Sequence, residues 1–562
     1  MPPLLVGSVK SVIGHRCEVI LRPDLQSMHL THDGALYSVG QLGSYVCIPT
    51  AFDKIVGVVA ETRLLDVVNP GTGGEAFISD KKLLRVALVG TIAGARFERG
   101  VRAFPLVNDD VYLATAEDYG AIFDGVRSKA SIEFGRSSEM ESYRVPVDID
   151  KLFSKPVAIV GTTGAGKSYT VASLIHQVLA LPEPRILVID LHGEYTTCFG
   201  ECATVLSRES GLEIPYWLFN YQELQDLCID RNEREAPNQA VIFKKEVLNS
   251  KKQALTAEGL QLNDALSIDS PVYFDFQCVY QAIDAINSQM VPGARGGQRQ
   301  GDFYGDFNRF LVRLESRLSD YRYGFIFRPE RFNSSASLKT FLEELFGRGG
   351  QPRKITVVDL SGVPSDVIQS VVALLCRVAF DFTFWKLDYA QSPLLLVCEE
   401  AHSYAGKSIN SESRRMIERI AKEGRKYGIG LLVVSQRPAE VSETILSQCN
   451  NFIVMRLSNP VDQEYVRALV PDQYQDLMDI LPALRRGEAL FLGDATLMPL
   501  RVQIDAIPDE GKIPRSRDVS FYEGWQAVSQ AAVDDIIERW RRQRKNIGAN
   551  QPNQAATTPG SG

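Results

Sequence analysis

The chain has 562 residues, 45% of them hydrophobic and 23% charged, with a formal net charge of −8. That length exceeds one ordinary core and suits about two to four domains, and the composition excludes a disordered, collagenous or disulfide-built protein. The acidic balance argues against a broad basic face for nucleic acid, although a basic channel inside an acidic shell remains compatible with it.

Nine cysteines are scattered without a CxxC pair. The closest two, Cys198 and Cys202, lack a second pair to complete a zinc site, so reduced thiols in a cytoplasmic protein are expected. The opening Met1-Pro2-Pro3-Leu4-Leu5-Val6-Gly7 lacks the basic start and long apolar core of a signal peptide. The most apolar long window, 371–380, is broken by Arg377 and is too short to span a bilayer, so no membrane partner is expected.

Residues 1–130 read as short strands, for example 5–9, 17–21, 54–59, 84–89 and 110–113, with Gly7, Gly57 and Gly90 in or beside them as at bulges and corners. A small β-barrel for assembly or docking is expected, against the plainer reading of a strand-rich appendage.

A second, larger unit is expected over 131–505, and it carries a glycine-rich loop near its start. Residues 161–168, Gly-Thr-Thr-Gly-Ala-Gly-Lys-Ser, fit the Walker A pattern. Before them, 156–160 form an apolar run suited to a buried parallel strand. After them, Val171, Leu174, Ile175, Val178 and Leu179 fall on one helical face, stopped by Leu181-Pro182-Glu183-Pro184. Gly161, Gly164 and Gly166 let the backbone curl so that N–H groups from Gly161 to Tyr169, those of Thr162, Thr163 and Ala165 included, can face phosphate oxygens at a helix N-terminus. Lys167 can reach the β- and γ-phosphates of ATP, and the Ser168 hydroxyl can ligate Mg²⁺.

A second strand, 185–190, runs into Leu191-His192-Gly193-Glu194-Tyr195. Asp190 and Glu194 at its carboxyl end could flank a nucleotide or a subunit boundary; alternatively, Asp190 caps the following turn. From about 205 to 350 the β/α alternation lapses into a helical insertion, with helices at 240–255 and 306–318 and a loop carrying Arg295 and Arg299, either touching phosphates or simply solvated. Strands resume at 355–360, 394–400, 430–435, 451–457 and 488–492, with a helix over 365–385, and this predicts a mostly parallel sheet covered on both faces. After about 505 a helix over 521–545 with the basic end Arg539, Arg541, Arg542, Arg544 and Lys545 precedes a tail from about 546 with a disordered composition.

Hydrolysis needs more than a cradle. Glu399 and Glu400 end an apolar strand as a Walker B element would, with Glu399 in the Mg²⁺ shell and Glu400 orienting and deprotonating the attacking water. Gln436 ends another apolar strand and is placed to sense the γ-phosphate or the water. Arg425 could act as an arginine finger for a neighbouring subunit; its plainer role is a charge at a helix C-terminus.

Together these residues resemble the HerA family of hexameric ATPases, within the HerA–FtsK group of P-loop motors. The match runs through 161–168, Asp190-x-His192-Gly193-Glu194-Tyr195, Glu399-Glu400-Ala401-His402, Arg425-Lys426-Tyr427-Gly428 and Ser435-Gln436-Arg437-Pro438, in order. Pro215-Tyr216-Trp217-Leu218 and Asp359-Leu360-Ser361-Gly362-Val363-Pro364 are similar as well. The resemblance implies an N-terminal β-barrel, a RecA-like P-loop core with a helical insertion, and a C-terminal segment (506–562) that reaches an adjacent subunit. It also implies a homohexameric ring that moves double-stranded DNA with ATP, beside a separate NurA-type nuclease or, in antiphage defence, a sirtuin-like NADase or another effector. Lys407, in the loop after Glu400, is a plausible pore contact. Two other readings stand beside the translocase: a ring scaffold in which ATP governs assembly while the partner effector does the work, and a motor for protein substrates.

Overall fold

The computed structural model describes residues 4–25, 29–32, 35–67, 77–94, 96–230, 232–262, 265–292, 297–349, 352–388, 392–515, 521–526 and 533–542. The N-terminal part is a closed barrel. Its strands follow the order Arg16–Leu21, Leu5–Ile13, Asp110–Leu113, Tyr45–Pro49, Asp53–Val67 and Phe77–Ala93, and the last pairs back with the first. The strand Arg96–Arg99 adds to its rim.

Two barrel strands are far longer than their apolar runs suggest. Asp53–Val67 and Phe77–Ala93 pair along most of their length, with register shifts at Val56/Gly57, Val59/Glu61 and Leu64/Asp66. Each bulge resets the in-out alternation, so the period of two is lost to a sequence reader while the ladder continues. Gly90 is required by close approach, since a Cβ there would stand 2.1 Å from the Phe97 ring. A helix, Ala116–Phe123, also lies within the expected all-β segment, closed by a capping box between Thr115 and Asp118.

The second part is an α/β unit, RecA-like, on an eleven-stranded sheet. The strand order is Arg144–Asp148, Ser131–Ser137, Leu500–Ile504, Glu488–Leu492, Asn451–Met455, Val157–Val160, Ile429–Ser435, Leu394–Cys398, Arg185–Asp190, Ile355–Asp359 and Ala203–Leu206. From Asn451–Met455 to Ala203–Leu206 every pairing is parallel; the four strands on the other side are antiparallel. All four residues of Val157–Val160 are buried, as in a strand covered on both faces. Helices Tyr221–Cys228, Ala236–Glu258, Phe276–Asn287, Asn308–Ser319 and Leu338–Leu345 form the helical insertion. Within it, Arg299, expected in a loop, lies on the short strand Gln298–Gln300, paired with Met290–Pro292; Arg295 lies outside the described residues.

The helix Ser365–Trp385 is the one among the described residues long and apolar enough to cross a membrane, with a mean hydropathy of 1.7 over its window. Here it is a core helix, with 61% of that window buried. Arg377, at its middle, meets Glu223 through two 2.9 Å hydrogen bonds and Asp381 at 3.3 Å. Glu223→Ala leaves that guanidinium short of its main partner. The melting temperature should fall accordingly, for a loss of about 3 kcal/mol; an unchanged melting curve would contradict this account of the helix.

The barrel is tied to the core at one end. Arg99 donates to Asp494 Oδ1 at 2.7 Å and to the Leu497 carbonyl at 2.8 Å, Arg501 donates to the Leu42 carbonyl at 3.1 Å, and Tyr45 donates to the Pro499 carbonyl. The chain just after the last core strand also contacts the core. Asp505 pairs with Arg144 at 2.7 Å, and the Arg515 N–H donates to the Glu194 carbonyl at 2.9 Å. Of the helix expected over 521–545 the described residues carry the helical stretches Phe521–Gln526 and Val533–Arg542; residues 527–532, Arg544, Lys545 and the tail from 546 lie outside the described residues. All nine cysteines are free thiols.

Candidate nucleotide site

The phosphate loop joins the central strand Val157–Val160 to the helix Lys167–Leu179, at the carboxyl ends of the parallel strands, where such sheets hold ligands. Its glycines serve different ends. Gly164 (φ 76°) and Gly166 (φ 108°) take left-handed backbone that other residues resist. Gly161 does not; it is there for space, because a Cβ would meet Met455 Cβ at 2.8 Å.

Neighbouring strands fix the loop from three sides. The Gly161 N–H donates to the Ser435 carbonyl at 3.3 Å, the Thr162 N–H to the Arg456 carbonyl at 2.9 Å, and the Gly487 N–H to the Ala165 carbonyl at 3.0 Å. Gly166 caps the helix without a side chain, so the first-turn N–H groups of Lys167, Ser168 and Tyr169 have no intrahelical acceptor and are available to an anion. The Tyr169 hydroxyl is engaged elsewhere: it accepts the N–H of Ile507 from the segment after the last core strand.

Glu399 and Glu400 follow the strand Leu394–Cys398 and are 1% and 3% exposed, directly across from the loop's lysine. Burial lowers the Lys167 pKa, while Glu400, Glu399 and Glu194 oppose that shift; the ammonium donates to the Thr162 carbonyl at 3.3 Å. Burial, and then the charges of Glu400, Glu194 and Asp190, push the Glu399 carboxyl well above the usual carboxylate range, with Lys167 pulling the other way. Its Oε2 is buried without a hydrogen-bond partner. A divalent cation would relieve both the missing partner and the repulsion. Among the described residues no cluster of three or more His, Cys, Asp or Glu could hold a metal alone. Mg²⁺ on a nucleotide asks for less, because one or two protein ligands beside phosphate oxygens suffice, and Ser168 with Glu399 fits that donor set.

Gln436 bridges the two halves of the site. Its amide nitrogen donates to Glu400 Oε1, and its amide oxygen accepts the Thr163 hydroxyl of the phosphate loop. The strand Ile429–Ser435 delivers it, next to the loop's own strand.

Three other residues have contacts of their own that set their roles. Arg425 is exposed in the turn Gly424–Tyr427, before the strand whose far end carries Gln436. Seven strand residues, about 20 Å at 3.3 Å each, separate it from its own chain's Gln436. Lys407 lies with its ammonium 4.0 Å from the centre of the Tyr465 ring. Asp190 is fully buried, and its carboxylate accepts the N–H groups of His192, Gly193 and Tyr195 at 2.9–3.1 Å. It therefore shapes the turn after its strand, as the plainer reading had it. Two residues of the quoted motifs to which the sequence assigned no role also belong to the site: Tyr195, fully buried and raised first by burial and then by the charge of Glu399, and His402, close to Glu400.

The family profile described as "Helicase HerA, central domain" matches residues 132–379. The DNA double-strand break repair helicase HerA of Pyrococcus furiosus is 25% identical over 509 residues, covering 84% of each chain. The protein of the same name from Sulfolobus acidocaldarius is 26% identical over 443 residues, covering 78% of this chain and 80% of that one. Among solved structures, VirB4 of Thermoanaerobacter pseudethanolicus overlays on 68% of this chain and 98% of its own, with a TM-score of 0.49 and 16% identity, a likeness too distant to argue from.

Proposed function

This chain belongs to the HerA helicase family, and on that premise we propose that it is an ATP-hydrolysing motor that moves along double-stranded DNA as a homohexameric ring. The observation that carries the hydrolytic part is the junction at Gln436, which ties the carboxylate of Glu400 to Thr163 in the phosphate loop. In a site that merely bound nucleotide, those groups would have no reason to converge.

In this reading the N–H groups of the loop and Lys167 hold the triphosphate. Ser168 and Glu399 hold Mg²⁺, which when bound neutralises charge on the β- and γ-phosphates. Glu400 takes a proton from the water whose oxygen attacks the γ-phosphorus, and the bond to the bridging oxygen of ADP breaks. Gln436 orients that water. Arg425 completes the site of the adjacent subunit. Duplex DNA in the ring would be gripped by its phosphates without base readout, which is compatible with an acidic chain if the pore itself is basic.

The relatives named as DNA double-strand break repair helicases support a role in DNA repair; end processing beside a separate nuclease is the setting proposed here, and defence beside a sirtuin-like or other effector is the alternative. The barrel supports a docking role. On its strand ends and loops Ile13, Phe52 and Leu106 are 74%, 94% and 72% exposed, apolar surface that a partner could cover. The same surface favours the second reading, a ring scaffold that activates an effector. A Glu400→Gln ring that still assembles and still supports the effector would decide for the scaffold.

The direct test of the motor is ATPase turnover with and without linear duplex DNA, beside a particle-mass measurement. Turnover should rise severalfold with DNA, on a particle of six chains. A rate indifferent to duplex of any length or end type would count decisively against translocation.

A further inference from the structure

Glu400 stands in left-handed backbone, φ 49° and ψ 45°, a conformation that a residue with a side chain keeps only when its surroundings hold it there. Its carbonyl accepts the Ser403 N–H at 2.9 Å, closing a short turn over Ala401–Ser403. The turn brings His402 back beside the carboxylate that precedes it by two residues, with Nδ1 3.2 Å from Glu400 Oε2. The other oxygen, Oε1, is already taken by Gln436. Oε2 is buried and has no aligned donor among the described residues, although His402 Nδ1 is within reach. Such contacts are commonly loose until substrate tightens the site.

The same Nδ1 lies 3.2 Å from Ser435 Oγ, which in turn accepts the Arg437 N–H at 3.0 Å. One imidazole therefore touches the ends of two adjacent strands, Leu394–Cys398, which leads to Glu400, and Ile429–Ser435, which leads to Gln436. The ring is half-buried, and Glu400, Glu440, Arg437 and Lys167 are the charged groups that face it. A neutral ring carries a single N–H. With that hydrogen on Nδ1 it serves Glu400 and leaves Ser435 Oγ free to receive Arg437.

We propose that His402 is a positioning residue for hydrolysis: its Nδ1–H donates to Glu400 Oε2, fixing the carboxylate against Gln436 at the spacing the attacking water requires. The proposal rests on the reading of Glu400 as the base.

The test is steady-state turnover of MgATP by the full chain carrying His402→Asn, His402→Gln or His402→Ala, with kcat and KM separated. An asparagine amide can stand where Nδ1 stands; a glutamine amide reaches toward the Nε2 position instead. The Asn variant should keep kcat within about threefold of the parent, while the Gln and Ala variants lose about 10- to 100-fold, with KM little changed throughout. On a Glu400→Gln background, His402→Ala should cost nothing further. The proposal is overturned if Asn and Gln give equal kcat, if the Ala variant stays within twofold of the parent, or if its loss persists undiminished on the Glu400→Gln background. Near-parent turnover by Glu400→Gln alone would instead sink the reading of Glu400 as base, a separate failure visible in the same experiment.

Discussion

Glu400→Gln should bind ATP and fail to hydrolyse it, with turnover down by about 10²- to 10⁴-fold, the usual worth of a positioned base. The amide keeps the size of the side chain, removes its proton affinity and turns one of its two acceptor oxygens into a donor. Lys167→Ala should fail one step earlier. Lys167 is buried, and it is the cation that opposes the upward push on Glu399. Without it the triphosphate loses a direct contact and two buried acids face each other with less compensation, so both binding and turnover should be lost, turnover by at least about 10³-fold. A nucleotide-binding assay beside the ATPase assay separates the two variants. Equal binding by both would mean that Lys167 does not reach the phosphates, and the geometry of the loop would need another explanation.

Arg425→Ala should cost about 10³- to 10⁵-fold in turnover while leaving nucleotide binding intact, as removal of an arginine finger does elsewhere. The argument is positional. Arg425 sits at the start of the strand Ile429–Ser435 and Gln436 just past its end. No hydrogen bond or ion pair engages its side chain among the described residues. It is thus exposed, charged and out of reach of its own site. Mixing gives the sharpest readout. Arg425→Ala chains carry an intact Glu400, and Glu400→Gln chains carry an intact Arg425. Each alone should be inactive, whereas rings containing both should regain turnover wherever a good site faces a good finger. Mixed rings, verified by mass, that stay silent would remove Arg425 from the active site and return it to the role of a helix-end charge.

Much of the fold was legible because the central strands and helices are locally overdetermined. The strand Arg185–Asp190, the helix Ser365–Trp385 and the strand Glu488–Leu492 fall where their apolar runs begin and end. A strand buried on both faces has no polar side to blur its limits, and a long core helix carries its pattern over many turns. The rest of the antiparallel side was not legible. Ser131–Ser137 pairs with its neighbour Arg144–Asp148 and with Leu500–Ile504 from the far end of the core, and their short mixed runs signal a strand only once each finds its partner. The long barrel strands were read short for a related reason, since their bulges break the alternation that a reader follows.

The site divides along the same line. The sequence by itself determined the phosphate loop, because strand, glycine turn and helix are contiguous and their chemistry is written in local backbone needs. It also placed a pair of acids and a glutamine at strand ends, since burial makes such residues conspicuous after an apolar run. Only the tertiary structure decided what those groups do to one another. Strand order set Gln436 between Glu400 and Thr163, spent Asp190 on three backbone N–H groups, brought His402 under Glu400, and left Arg425 about 20 Å of strand away from its own site. Contacts across a parallel sheet join residues hundreds of positions apart, and no local pattern encodes which strand will lie beside which.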